Sequence, residues 1–290
     1  MLGIKNISLV TAVFFVAVGL YLQPASAQED ITADKVKIST PVYKPAFDEF
    51  TPALGEYKYV TSWQGIPAAD LTVTVSRESD KYRVISLVKT YSGIDLFYKL
   101  RYRAEGLISA YTLLPERTLI NQTENSRVKS TEIIFENGKI RSVYASRGSE
   151  PEVLNFDPGN FTLGPFSAAF LARSLRWEVG DVKEFDTYVG KARYLVKLTA
   201  KSKTKMELNG KKIPVWEIKP EVLKLTSAKQ PGKLRDASIY VTADDKREIL
   251  QIKSEVFIGN VYTELTEFTP FQRTGDTQLA KAKTQEIRFR

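Results

Sequence analysis

The chain has 290 residues, 43% hydrophobic and 26% charged, and its 42 Lys and Arg against 34 Asp and Glu give a formal net charge of +8. That is the composition of a folded protein rather than a disordered one. It contains no Cys and no His, which excludes a disulfide scaffold, a zinc ribbon, a thiol nucleophile, a Ser-His-Asp triad and imidazole ligation of a metal.

Residues 1–27 read as a secretory signal. Lys5 supplies the positive start, Ile7 to Leu22 form an apolar stretch, and Ala25-Ser26-Ala27 is a small-x-small cleavage pattern. The apolar stretch is about 16 residues, short of the roughly 20 that a spanning helix needs. Cleavage after Ala27 and export to the periplasm are therefore expected, with no integral membrane segment left in the mature chain. Residues 28–52 mix charges with Pro41, Pro45 and Pro52 and hold no sustained period, the pattern of an extended leader or linker.

From 53 to 270 the dominant pattern is alternation, which predicts a single antiparallel β domain. Tyr57, Tyr59, Thr61 and Trp63 share one face of a strand, and Leu71, Val73 and Val75 one face of the next. Gln64-Gly65-Ile66-Pro67-Ala68 punctuates the two. Asn137-Gly138 and Asn209-Gly210 carry the chemistry of type I′ hairpin turns. Asp244-Asp245 and Gly259-Asn260 punctuate the last strands, where Leu250, Ile252, Val256 and Ile258 recur. Counting such runs gives on the order of 13–16 strands with short, antiparallel connections.

One segment departs from this. Pro165 occupies a favoured first helical position, and Phe166, Ala169, Phe170, Ala172, Leu175 and Trp177 follow at roughly helical spacing until Gly180. A short helix near 165–177 that plugs or caps the sheet is expected. Residues 271–290 form a basic tail, with Arg273, Lys281, Lys283, Arg288 and Arg290.

A sheet of so many strands must close, split or curl, since open twisted sheets rarely exceed ~10 strands while flat. The expected fold is all-β, mainly an antiparallel meander, in a strongly curved sheet, half-barrel or barrel. The 15 Phe, 14 Tyr and 3 Trp are abundant enough to line an interior. Tyr59, Trp63, Phe97, Tyr102, Phe166 and Phe170 are the lining candidates.

Four stretches resemble the DUF3108 family of uncharacterised exported proteins. They are Gly55–Tyr59 leading to Trp63-Gln64-Gly65-Ile66-Pro67-Ala68; Ile133–Phe135 with Asn137-Gly138; Asp157 to Trp177 with Gly180-Asp181; and Ile239 to Arg247 with Gly259. The closing hairpin departs from the pattern in having Glu248-Ile249 where a Pro is expected. The resemblance implies a periplasmic β-rich protein and supplies no activity, catalytic residue or cofactor.

Other chemistry is thinly encoded. Ser86-Leu87-Val88-Lys89 matches the S-x-x-K pattern of penicillin-interacting enzymes. Its surroundings read as a strand, where positions three apart face opposite sides. Asp80, Asp95, Asp157, Asp181, Glu184 and Asp186 are available for carboxylate hydrolysis, but no pair has a context marking it as opposed. Asp157-Pro158-Gly159-Asn160 reads as a turn. Basic residues are dispersed and carry no nucleic-acid signature. The sequence thus predicts a non-enzymatic periplasmic protein without metal or cofactor that binds a lipid or another apolar or envelope-derived ligand. The alternatives are an assembly factor contacting envelope proteins, and a carboxylate hydrolase. The deciding feature is whether the interior is hollow or filled.

Overall fold

The computed structural model describes residue 44 and residues 51–157, 161–208, 210–225, 237–255 and 259–271. The signal segment, almost all of the leader, the basic tail beyond Phe271, Pro158–Asn160, Asn209 of the second Asn-Gly turn and Val256–Ile258 lie outside the described residues.

Eight strands come first: β1 (Gly55–Trp63), β2 (Ile66–Glu78), β3 (Lys81–Thr90), β4 (Leu100–Ser109), β5 (Pro115–Glu124), β6 (Arg127–Glu136), β7 (Lys139–Ser146) and β8 (Glu152–Phe156). A single helical turn, α1 (Ser92–Asp95), joins β3 to β4. Then follow β9 (Thr162–Leu163), helix α2 (Pro165–Ser174), β10 (Val182–Val189), β11 (Ala192–Leu208), β12 (Lys211–Lys224), β13 (Ala237–Thr242), β14 (Ile249–Glu255) and β15 (Asn260–Pro270).

All fifteen strands belong to one sheet, in the order β8-β7-β6-β5-β4-β3-β2-β1-β15-β14-β13-β12-β11-β10-β9. Every neighbouring pair is antiparallel except β9–β10, whose parallel pairing is bridged by α2. The chain therefore winds outward from β1 in one direction, crosses at β8–β9, and returns to set β15 against β1. Asn137 and Gly138 both have positive φ, 51° and 76°, the backbone of the type I′ turn that Asn-Gly favours.

The alternation set out above holds. Tyr57, Tyr59 and Thr61 are buried on one face of β1, and Leu71 and Val75 on the matching face of β2. The same concave face carries Leu100, Tyr102 and Ala104 of β4 and Val196 and Leu198 of β11.

The sheet is curved but not closed by hydrogen bonds: it rolls past itself. The concave face of β6–β8 lies over the outer face of β10. Tyr188 there packs with Ile133, Ile140 and Phe156, its ring 4.9 Å from that of Phe156. Ser142 Oγ donates to the Gly190 carbonyl at 2.8 Å, and Lys191 pairs with Glu152. On the same outer face, Arg193 Nη2 meets Asp186 Oδ2 at 2.5 Å with the Arg193 side chain fully buried. Thr162 Oγ1 donates to that carboxylate at 3.0 Å. A buried pair with these extra bonds is held; either charge alone there is strongly unfavourable.

Helix α2 lies inside the scroll. Pro165 to Leu171 are all buried, as expected of a helix apolar on every side. Ser167 Oγ accepts from the Gly164 N–H at 2.9 Å. Leu175 is already extended, at φ −82° and ψ 151°, so the helix ends three residues before the expected Trp177. Leu175 and Trp177 still join the core, as extended residues. The interior is therefore filled rather than hollow.

Candidate functional site

Room for a guest, where it exists, lies around α2. On one side Phe166 and Phe170 pack against β1–β4, with the Phe170 ring 5.5 Å from that of Tyr82. Gly106 of β4 makes this possible, because a β-carbon there would collide with the Phe166 ring. On the other side Ala168, Leu171 and Leu175 pack against β10–β14. Each side retains a cavity. The first, about 50 Å³, is lined chiefly by Tyr57, Tyr59, Leu71, Val84, Phe166 and Phe170. The second, about 30 Å³, lies among Ala172, Trp177, Leu198, Trp216, Ile218 and Val241. Ala169, Arg173 and Ile249 border both.

The mouth is polar. Arg173, in the last turn of α2, donates from Nε to the Arg247 carbonyl at 2.6 Å and from Nη2 to the Lys246 carbonyl at 3.0 Å. Arg247 answers from Nη1 to the Arg173 carbonyl at 2.8 Å and to the Leu175 carbonyl. The two arginines thus clasp the β13–β14 turn to the C-terminal end of α2, where carbonyls lack helical partners and a cation is favoured. The turn is braced from within. Asp244 Oδ1 accepts from Thr242 Oγ1 at 2.5 Å and from the Arg247 N–H at 3.2 Å. Arg247 is held at φ 47°, a left-handed conformation that a branchless glycine would adopt more easily.

Tyr57 completes the mouth. Its hydroxyl lies 3.0 Å from the Ala53 carbonyl and 3.3 Å from Glu248 Oε1, so one proton serves two acceptors. Burial pushes this phenol up to about 12, against the opposing pull of Arg173. Burial likewise raises Tyr59, whose hydroxyl donates to the Ile249 carbonyl at 3.1 Å, and Tyr102. These groups stay neutral hydroxyls at ordinary pH, and Tyr57 and Tyr59 act as hydrogen-bond donors, not bases.

The six lining candidates separate. Tyr59, Phe166 and Phe170 border the first cavity. Tyr102 is buried in the same core cluster without bordering it. Trp63 sits half-buried at the end of β1, opposite Val261 and Ile66. Phe97 does not face inward: it follows α1 with 83% of its surface exposed, because the β3–β4 connection stands clear of the concave face. Arg173, Arg247 and Glu248 are not among the lining candidates; Arg247 and Glu248 entered only as the end of a family-like stretch and as its departure from the pattern. The available signal was a lone Arg in the final turn of an otherwise apolar helix.

The enzyme patterns are not assembled. Ser86 is buried on the concave face of β3, with its hydroxyl unpartnered among the described residues, and Lys89 is exposed on the opposite face. Of the carboxylates, Asp95 binds Arg101, Asp181 binds Lys183 and Asp186 binds Arg193, in three separate places. Among the described residues no three acidic groups gather where a metal ion could be held.

Comparison with known proteins agrees with this architecture. No curated protein matches the sequence. Among solved structures, the chain is similar to a β-barrel-like protein of the domain of unknown function DUF1849 from Brucella abortus. The two share 7% identity at a TM-score of 0.54, over 77% of this chain and 100% of that one, which is a likeness of fold alone. A candidate lipoprotein from Parabacteroides distasonis aligns at 8% identity and a TM-score of 0.31, over 79% of this chain and 100% of that one. The family profile described as "protein of unknown function (DUF3108)" matches residues 58–266, the strands from β1 to β15 together with the helix they enclose, and the chain belongs to that family.

Proposed function

We propose that the protein is a non-enzymatic binding protein of the cell envelope, working in the periplasm, whose guest is a lipophilic or envelope-derived molecule held against the concave face of the scroll. The observation that carries this reading is a short apolar helix, α2, seated on the concave face between two small cavities and fastened at its C-terminal end by the arginine clasp.

Their size sets the mechanism. About 50 and about 30 Å³ hold a few waters at most, at ~10–15 Å³ per water on this measure. Ligand sites run to roughly 300–1,000 Å³. A guest must therefore take the place of α2 rather than join it. A helix of ten residues is shorter than the ~12–15 that are marginally stable alone, so α2 is held by packing and by its clasp. Withdrawal exposes Phe166, Phe170 and the rings beneath them at roughly 1.5–3 kcal/mol per large side chain. An apolar guest covering the same surface offsets that loss, and Tyr57 and Arg173 stand at the mouth to receive its polar end.

The test is native mass spectrometry of protein isolated gently from an envelope extract, together with uptake of an apolar fluorescent probe. A bound lipophilic mass is expected. Arg247→Gly keeps the positive φ, removes the two bonds from the Arg247 side chain and leaves those that Arg173 makes to the turn carbonyls. It should speed uptake about tenfold, the equivalent of one or two hydrogen bonds. If preparations are empty and neither form takes up the probe, the reading fails, and a role through contacts with envelope proteins replaces it.

A further inference from the structure

The end of the scroll remote from the arginine clasp carries a second feature, independent of any guest. The turns β1–β2, β3–β4, β5–β6 and β7–β8 lie side by side along this rim, as strand direction and sheet order require. At the apex of the β3–β4 connection, Leu96 and Phe97 are 82% and 83% exposed. Exposed apolar residues scattered singly are ordinary; two adjacent large ones at an apex are a feature to explain.

The apex is built, not frayed. Asp95 accepts from Thr90 Oγ1 at 2.5 Å and is gripped by Arg101, with Nη1–Oδ1 at 3.0 Å and Nη2–Oδ2 at 2.5 Å. Tyr98 donates its hydroxyl to Glu124 at 3.0 Å. The Lys99 N–H donates to Asn125 Oδ1 at 2.9 Å, and the Asn125 N–H to the Lys99 carbonyl at 2.8 Å. The next turn is tied in by the Arg147 N–H donating to the Val128 carbonyl at 3.0 Å. The knuckle and its two neighbouring turns thus form one surface.

That surface is basic. Lys89, Lys99, Arg127, Lys129 and Arg147 stand on or just below it, and none forms an ion pair among the described residues. Of its carboxylates, Asp95 is neutralised by Arg101 and Glu152 by Lys191, while Glu124 and Asp70 accept from the Tyr98 and Tyr91 hydroxyls and keep their charge, fewer than the unpaired bases. Glu150, in the β7–β8 turn, is the exposed exception.

We propose that this rim docks on an anionic phospholipid surface, with Leu96 and Phe97 entering the headgroup–acyl boundary and the surrounding Lys and Arg side chains against lipid phosphates. Two features favour a membrane over a folded partner. The apolar element is a projecting knuckle, which needs a yielding surface or a matching pocket. The charges flank it and follow the next two turns on flexible stems, which suits a mobile array of phosphates better than a fixed set of carboxylates.

The experiment is co-sedimentation of the protein, as purified from the cells that process it, with two kinds of vesicle. One is phosphatidylcholine alone; the other is equimolar phosphatidylcholine and phosphatidylglycerol. Binding to the mixed vesicles is expected, weakening as salt rises. The double variants Leu96→Ser/Phe97→Ser and Lys99→Glu/Arg127→Glu should each lower it by about tenfold or more, as one kcal/mol per base implies. Both should leave the thermal midpoint unchanged, because these side chains support no core. Wild-type protein that ignores both vesicles overturns the proposal, as does binding that survives both double variants. Self-association abolished by Leu96→Ser/Phe97→Ser would assign the knuckle to a second copy and overturn it too.

Discussion

Strands β1 and β15 meet through a continuous antiparallel ladder, whereas β6–β8 meet β10 face to face through side-chain packing and one bond to the Gly190 carbonyl. The ladder runs from Gly55↔Pro270 to Trp63↔Val261 with one register shift at Lys58/Tyr59. Its backbone groups have one satisfactory register, because a slip of one residue would turn Tyr57 and Tyr59 to solvent. The overlap has no such ladder. It is held by a four-residue apolar cluster, one hydroxyl-to-carbonyl bond and a surface ion pair, while the buried Arg193–Asp186 pair joins β10 to β11 within the layer beneath. A rolled sheet can thus be fixed along one line by hydrogen bonds and secured at its free edge by packing, and the second kind of junction is the easier to loosen.

The largest expected effect lies in the layer that the overlap covers. Arg193→Ala strands the Asp186 carboxylate in a buried site and should cost about 3–5 kcal/mol in denaturant unfolding. Replacing both partners, as Asp186→Leu/Arg193→Met, should recover most of that loss. If the single variant is within experimental error of wild type, the pair is not needed to hold β10 and β11 together in their buried layer.

A smaller effect is expected at the ladder. Thr61 and Thr263 face each other there, their buried hydroxyls 2.9 Å apart. Thr263→Val leaves one hydroxyl unpaired and should cost about 1–3 kcal/mol, whereas Thr61→Val/Thr263→Val should be close to neutral. A double variant less stable than the single one would show that the hydroxyl pair is not the unit involved.

The smallest effect concerns Lys191, which pairs with Glu152 and lies 4.2 Å over the Tyr144 ring. Both side chains of the ion pair are more than a third exposed. Lys191→Ala should therefore change stability by only about 0–1 kcal/mol. Amide exchange should nevertheless be faster in β7 and β8 than in β1 and β15, and more so in this variant. Equal protection at both junctions would remove the distinction between them.

Much of the fold was legible before any coordinates. The alternation of Tyr57, Tyr59 and Thr61 marked the concave face of β1, Asn137-Gly138 the β6–β7 hairpin, and Pro165 with Phe166 and Phe170 a helix against the sheet. Tyr59, Tyr102, Phe166 and Phe170 are buried because they lie in regular elements, where period assigns a side, and three of these four border the first cavity. Phe97 was misplaced because Ser92–Tyr98 has no period from which to infer a side. The clasp was illegible for a different reason: its bonds run from Arg173 and Arg247 to backbone carbonyls, and a carbonyl leaves no mark on a sequence.

By itself, the sequence determined which residues form strands, which face of each strand is apolar and where the chain turns, because these follow from local steric preference and a two-residue repeat. Only the tertiary structure decided that β15 returns to β1, that β6–β8 roll over β10 to enclose Asp186 and Arg193, and that α2 occupies the interior. Those outcomes depend on the accumulated twist of fifteen strands and on contacts between distant residues, and neither is encoded in the spacing of neighbours along the chain.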